Sequence, residues 1–290
     1  MGGRVTVVGS SGFLGTALVS KLQDEGVETL ALSRKNAPDL TDLQADWETL
    51  FEGSSAVINC AGKAHDLRRL SREEARTYAL VNGVTPGGMA RAAYKVGIPR
   101  FVQLSTAKVL GDHTNGRALL ESDIPSPRGV YALSKALGEG LVLEAADDAN
   151  ASAVVVRVPL VIGRPFKGNL ALLEKAIRAG IPLPLNHSSV SKRSYVQLED
   201  LLEVLTRVAL LKGPLPEILH VRSEPDMTAS ELADFVGSSI GMRPKFVSVP
   251  ASLLTSFTAA LGRGEMAAKL TGEFLLSDEA SRKALHTQGV

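Results

Sequence analysis

Several absences narrow the reading of this chain before any motif is considered. A single cysteine, Cys60, leaves no partner for an intramolecular disulfide, which fits a reducing, cytoplasmic setting. The 32 lysines and arginines are met by 31 aspartates and glutamates. That balance supplies no global positive field to neutralise a phosphate backbone, so no nucleic-acid partner is expected. No apolar run approaches the ~20 residues that a membrane helix needs, and no membrane contact is expected. Met1-Gly2-Gly3-Arg4 passes at once into strand pattern, so no signal peptide is expected. The five histidines are scattered without metal-ligand spacing, so no metal is expected. With 290 residues at 44% hydrophobic content, the chain can still bury a large core, as one domain or two unequal ones.

What is present is an alternation of strand-like and helix-like stretches. Val5-Thr6-Val7-Val8 is a short β-branched run that reads as a buried strand. It leads into Gly9-Ser10-Ser11-Gly12-Phe13-Leu14-Gly15, then into a helical pattern carried by Ala17, Leu18, Val19 and Leu22. Strand, glycine-rich turn and helix, in that order, is the context a dinucleotide diphosphate requires. Gly9 permits the tight turn, Gly12 permits close backbone approach, and Gly15 lets the helix pack on the strand. The diphosphate would sit on the free N–H groups and positive dipole end of that helix.

Further strands are expected at 28–32, 56–60, 100–104 and 153–157, with helices at 47–51, 71–96 and from Tyr131 to Asp148. The 71–96 helix is expected to break near Asn82-Gly83-Val84-Thr85-Pro86, because proline suits a helix start better than an interior. Apolar strands alternating with helices indicate an α/β fold, a doubly wound parallel sheet covered on both faces. Ligands then bind beyond the carboxyl ends of the strands, where Gly9, Ala61, Thr106 and Arg157-Val158-Pro159 fall. Past Leu160 the chain is richer in proline and glycine. Expected there are helices at 170–179, 199–211, 228–240 and 251–261, and strands at 194–196 and 218–221.

Tyr131 and Lys135, in Tyr-Ala-Leu-Ser-Lys, lie four residues apart and so share a helix face. An ammonium beside a phenol favours the phenolate, lowering its pKa from near ~10 and readying the tyrosine for proton exchange. A hydroxyl from Ser105-Thr106, at the end of the preceding strand, could bond the same substrate oxygen. The pair alone is usually a solvated helix face; the glycine-rich turn and the serine–threonine pair overturn that reading.

Gly9-x-x-Gly12-x-x-Gly15, Asn59-Cys60-Ala61-Gly62, Leu104-Ser105-Thr106 and Tyr131-x-x-x-Lys135 together resemble the extended short-chain dehydrogenase/reductases of the NAD-dependent epimerase/dehydratase family. The likeness continues through Arg157-Val158-Pro159-Leu160-Val161-Ile162-Gly163 and Lys192-Arg193-Ser194-Tyr195-Val196-x-x-x-Asp200, and covers essentially the whole chain. Within the family, Ser105–Val109, Lys167-Gly168-Asn169 and Lys192-Arg193-Ser194 look most like bacterial 4-ketoreductases of nucleotide-linked 2-acetamido-2,6-dideoxyhexoses, beside the UDP-sugar 4-epimerases. The resemblance implies a Rossmann domain at 1–160, with 194–222 returning to it, and a smaller substrate-binding region from 161–193 and 223–290. Family members are often homodimers through helices including the one that carries Tyr131.

Carried over residue by residue, the resemblance makes Tyr131 the proton donor or acceptor and Lys135 its activator and ribose ligand. Thr106 aligns with the catalytic hydroxyl, with Ser105 as the alternative. Gly9, Ser11, Gly12, Phe13, Leu14 and Gly15 would hold the diphosphate, and Ser33 and Arg34 the adenosine end. Cys60, Ala61, Gly62 and Asn82 would also touch the cofactor, with Pro159 and Val161 beside the nicotinamide. Asn82 reads equally as a cap at the expected helix break. Asp39 and Asp42 both suit the acidic contact to adenine. On the substrate side stand Lys108, Lys167, Asn169, Arg193 as the diphosphate ligand, and Arg263; Arg193 also reads as an ordinary surface arginine.

Two departures bear on the reaction. After the second strand, where a carboxylate marks NAD, the chain has Ser33-Arg34-Lys35. A guanidinium can bind a 2′-phosphate bidentately, so NADP(H) is the expected cofactor, with NAD(H) the alternative and Arg34 then stacked on adenine or facing solvent. After the catalytic hydroxyl, where sugar-nucleotide dehydratases carry Asp-Glu, stand Ala107 and Lys108, which disfavours dehydration. The expected activity is reduction of the C4 ketone of a UDP-linked 4-keto-6-deoxy-2-acetamidohexose. The alternatives are C4 epimerisation of a UDP-sugar with retained NAD, and a non-catalytic NADP-binding sensor or scaffold.

Overall fold

The computed structural model describes residues 3–64, 70–114, 116–184, 191–248 and 272–287. Nine strands are described: β1 Arg4–Val8, β2 Thr29–Leu32, β3 Ser54–Asn59, β4 Arg100–Thr106, β5 Ser152–Val158, β6 Leu160–Ile162, β7 Lys192–Gln197, β8 Ile218–His220 and β9 Ser223–Thr228. The helices are α1 Phe13–Asp24, α2 Trp47–Phe51, α3 Arg72–Ala79, α4 Thr85–Lys95, α5 Gly129–Asp148, α6 Gly168–Arg178, α7 Leu198–Leu210, α8 Ala229–Ser239 and α9 Glu279–Thr287.

Six strands form one parallel sheet in the order β2-β1-β3-β4-β5-β8. Successive side chains of a strand point to opposite faces, and here each face is apolar. Val5 and Val7, Ala56 and Ile58, Val102 and Leu104, and Val154 and Val156 pack with Leu18 and Leu22 of α1 and Leu201, Leu205 and Val208 of α7. On the other face Val8, Val57, Phe101 and Ala153 meet Trp47 and Phe51 of α2, Met89 and Ala93 of α4, and Val142 and Ala145 of α5. Each such aliphatic or aromatic side chain contributes about 1.5–3 kcal/mol on burial. The expected doubly wound α/β sheet is what forms. The strand order reverses between β1 and β3, and the crevice at that switch point is where ligands of such sheets bind.

A second, three-stranded sheet runs β6-β7-β9, with β6 parallel and β9 antiparallel to β7. It carries its own core of Ile162, Phe166, Leu170, Ile177, Leu183, Tyr195, Ala233 and Val236, built with α6 and α8. Within 194–222, α7 and β8 pack on the large sheet, whereas β7 is the middle strand of the small one. Neither β6, β9 nor α9 was anticipated. β9 reads Ser-Glu-Pro-Asp-Met-Thr, with no apolar alternation to announce a strand, and tertiary pairing to β7 makes it one.

The expected helix break also differs. α3 continues into α4 through a π-helical turn, Leu80–Val84, in which the Thr85 N–H donates to the Leu80 carbonyl. The wider turn accommodates Pro86, which has no N–H to give, without ending the helix. The expected helix at 251–261 lies outside the described residues.

Candidate active site

The β1–α1 turn is packed too closely for side chains. Gly9 has φ +84°, and a Cβ there would lie 2.6 Å from the Ala61 amide nitrogen. A Cβ on Gly15 would lie 2.2 Å from the Gly9 carbonyl oxygen. The turn therefore rests directly on the start of the loop after β3. Gly12 caps α1 without any side-chain hydrogen bond, so the first N–H groups of the helix are left for a ligand. Ser11 and Gly12 are exposed at its mouth, and Phe13 and Leu14 are half-buried. This cradle fits a dinucleotide diphosphate. A Cβ on Gly163 would lie 3.0 Å from the Phe13 ring, so the stretch holding Pro159 and Val161 turns back toward the same helix start.

At the carboxyl end of β2 the loop closes on Asn36. Its Oδ1 accepts from the Ser33 N–H at 2.7 Å and hydroxyl at 3.0 Å, while its Nδ2 donates to the Ala31 carbonyl at 2.9 Å. Arg34 and Lys35 are left exposed, and Lys35 lines an open pocket of about 400 Å³ that reaches Asp46, the cap of α2, and Thr49 and Leu50 within it. Asp39 and Asp42 each accept a backbone N–H two residues on, from Thr41 at 2.7 Å and Gln44 at 2.9 Å.

The reacting end gathers residues from four elements. Lys135 is buried on α5, and its Nζ donates to the Leu104 carbonyl at 3.1 Å. A Cβ on Gly62 would lie 3.0 Å from Asn82 Oδ1 and 3.1 Å from Lys135 Nζ, so glycine lets the loop pass here. Burial pushes the Lys135 ammonium down to about 8, opposed by the charges of Cys60 and Glu139; burial pushes the Cys60 thiol up to about 12.

Asn82, fully buried in the π turn, does not cap a helix. Its Oδ1 accepts from the Lys63 N–H at 2.7 Å, and its Nδ2 donates to the Lys63 carbonyl at 3.0 Å and to Ser134 Oγ at 3.1 Å. Ser134 Oγ donates in turn to the Tyr131 carbonyl at 2.8 Å. One amide thus ties the loop after β3 to the helix that carries Tyr131.

The two candidate hydroxyls separate. Ser105 Oγ donates to Glu139, whose carboxylate also holds Arg157 at 2.8 Å in an ion pair with both side chains 4% exposed. Thr106 lies near enough to the Tyr131 phenol to hold its pKa down, and it accepts from the Lys108 N–H at 3.3 Å. Ser105 is therefore committed to the interior, and Thr106 faces Tyr131. The expectation that the ammonium lowers the phenol's pKa is corrected. Burial raises Tyr131 above its ordinary value, Thr106 opposes that rise, and nearby Tyr78 adds to it. A phenol held protonated is suited to donate a proton.

The residues expected on the substrate side stand on separate elements. Lys108 pairs with Asp112 at 3.1 Å. Lys167 and Asn169 are exposed at the start of α6. Arg193 is not an ordinary surface arginine: its guanidinium lies 5.3 Å from the Phe274 ring centroid, and Nη1 donates to the Gly272 carbonyl at 2.8 Å. Arg263 lies outside the described residues. Sequence reasoning missed Glu139, although its place one turn beyond Lys135 on an otherwise apolar face was a legible signal. It also missed Tyr78 and Phe274, which no local pattern marks.

Among the described residues no helix is long and apolar enough to cross a membrane, and no group of His, Cys, Asp and Glu could hold a metal ion. The profile of the NAD dependent epimerase/dehydratase family matches residues 5–221. The chain is 26% identical over 292 residues to a Vibrio cholerae protein named UDP-glucose 4-epimerase, covering 97% of this chain and 89% of that one. It is 31% identical over 247 residues to the dTDP-4-dehydrorhamnose reductase of Mycobacterium tuberculosis H37Rv, covering 84% and 78%. In fold it resembles the crystal structure of UDP-glucuronic acid 4-epimerase from Bacillus cereus in complex with NAD, with a TM-score of 0.77 at 14% identity over 98% of this chain and 90% of that one.

Proposed function

The chain belongs to the NAD dependent epimerase/dehydratase family, and within it we propose a reductase of nucleotide-linked 4-keto-6-deoxyhexoses that uses NADPH. The coarser reading is an NAD(P)-dependent reductase or epimerase acting on a nucleotide sugar. The observation that carries the finer one is the exposed Arg34–Lys35 pair at the end of β2, suited to the 2′-phosphate of NADPH; Thr106, Tyr131 and buried Lys135 serve reduction and epimerisation alike.

NADPH, when bound, supplies hydride to the ketone carbon. Tyr131 delivers its proton to the developing alkoxide, and its raised pKa favours that direction. Thr106 orients the carbonyl through the same oxygen. Lys135, positively charged below about pH 8 and held on the Leu104 carbonyl, would bond the ribose of the dinucleotide. Asn82 and Ser134 hold the loop and helix in register, acting on position rather than on the substrate. Ala107 and Lys108 offer no carboxylic acid to eliminate water, which argues against a dehydratase. Exposed Arg34 and Lys35 at the end of β2 support NADPH over NADH, since two cations there would meet a 2′-phosphate. The 2-acetamido substituent and a uridine nucleotide complete the proposed substrate. Exposed Leu133 and Leu137 on α5, with Val84 on the π turn, support a homodimer through that face. A cytoplasmic location goes with the lone free thiol.

A second reading, C4 epimerisation with retained NAD, has support from the relative named UDP-glucose 4-epimerase. One experiment separates them. Supplying the 4-keto nucleotide sugar should oxidise NADPH in stoichiometric amounts. Tightly bound NAD that copurifies, with no net consumption of NADPH, would favour epimerisation.

A further inference from the structure

The loop after β3 carries a cation that the scheme above does not use. Lys63 is exposed, yet its backbone is clamped on both sides, its N–H and its carbonyl each bonded to the buried Asn82 side chain at 2.7 and 3.0 Å. Its ammonium lies 5.3 Å from the ring centroid of Tyr78. That ring is buried on α3, with its hydroxyl donating to the Ala64 carbonyl, and it is close enough to Tyr131 to influence it. Gly62, the preceding residue, is within a side chain's width of Lys135 Nζ. Lys63 therefore stands at the reacting end, fixed in place.

Four other cations near the site are engaged, whereas Lys167 is exposed at the start of α6. Lys135 donates to Leu104, Arg157 is paired with Glu139, Lys108 with Asp112, and Arg193 is seated on Phe274 and Gly272. Among the described residues no carboxylate pairs with Lys63, and its contact is with an aromatic face, which a phosphate oxygen would readily displace. We infer that Lys63 is a phosphate ligand, parked on Tyr78 until a diphosphate arrives. The diphosphate could belong to the dinucleotide or to the nucleotide sugar. The inference rests on the proposed function only in taking those two molecules as ligands.

The test uses the full chain and two titrations, one with NADPH followed by its fluorescence and one with UDP or dTDP followed by calorimetry. Lys63→Met keeps the aliphatic stem and removes the charge. It should raise the Kd of one of these ligands about tenfold and flatten its salt dependence, while the other stays unchanged. An NADPH effect assigns Lys63 to the dinucleotide, and a nucleoside diphosphate effect assigns it to the substrate. Lys63→Arg should restore most of the affinity, and Tyr78→Phe, which keeps the ring, should leave both constants within about twofold. If Lys63→Met melts like the unaltered protein and binds both ligands within about twofold of it, the assignment is wrong. Absence of ketone reduction alongside a clear Lys63 effect would overturn the proposed reaction and leave this inference standing.

Discussion

The two ends of the site are built in opposite ways. The dinucleotide end is made by neighbours in sequence: β1, its glycine turn and α1 are consecutive, and Gly9, Gly12 and Gly15 are fixed by contacts with backbone atoms of residues 9, 10, 60 and 61. The proposed substrate end is assembled from distant segments. Residues 272–276 return to bond Thr114, Leu119 and Arg193, and α9 reaches the main core through Leu285. Backbone geometry sets the first and side-chain docking sets the second, so damage should spread differently through each.

The reacting centre lies between them and should give the largest effect. Tyr131→Phe removes the proton donor while leaving a ring of the same shape. It should lower kcat by about 10²–10⁴-fold with NADPH affinity retained, measured by ketone-dependent oxidation beside a direct titration. A comparable loss of folding stability would show that the tyrosine is part of the scaffold instead.

Next comes the buried ion pair behind it. Glu139→Ala strands the Arg157 charge and the Ser105 hydroxyl in the interior, and should lower unfolding free energy by about 3–5 kcal/mol in urea. The loss should be felt across the large sheet. An effect near zero would mean that solvent reaches Arg157.

Lys135 should do the reverse. Unfolded, this lysine holds its proton up to about 10.5; folded, burial releases it near about 8. Between those values the unfolded state binds more protons, so apoprotein stability rises with pH there, is lost as pH falls from about 10.5 to about 8, and is flat below. At pH 7 the buried ammonium is unfavourable by about 3 kcal/mol, before its bond to Leu104 is counted. Lys135→Met should therefore abolish turnover, stabilise the apoprotein at neutral pH and erase the rise above pH 8. Denaturant midpoints at pH 7 and 10 measure the last two, and NADPH oxidation measures the first.

The smallest structural change belongs to the substrate wall. Arg193→Ala gives up one aromatic contact and one carbonyl bond, about 1 kcal/mol of stability, yet should raise substrate KM about tenfold with NADPH affinity unaltered. A change in NADPH affinity would erase the distinction between the two ends.

Legibility followed the same division. The β1–α1 turn, the strands delivering Ala61 and Thr106, and the Tyr131 helix were all readable, because each rests on a local period or a glycine requirement. The π turn was not, since Pro86 in a helical pattern reads as a break and only the packing of Asn82 between Lys63 and Ser134 shows otherwise. The seat of Arg193 was also beyond reach, because Phe274 is eighty-one residues away in sequence and β9 carries no apolar alternation. The direction of the Tyr131 shift depended on burial, which spacing alone does not give.

The account stands on a protonated Tyr131 facing Thr106 where a ketone meets the nicotinamide. Its most direct test is a single incubation of the protein with NADPH deuterated at the transferable position and a nucleotide-linked 4-keto-6-deoxyhexose, read by mass spectrometry of the sugar product. One deuterium at C4 in every product molecule, with product formed at least about a hundredfold more slowly when Tyr131→Phe replaces the unaltered protein, is the predicted result. Product without deuterium, or full incorporation by the Tyr131→Phe variant at an undiminished rate, would contradict it.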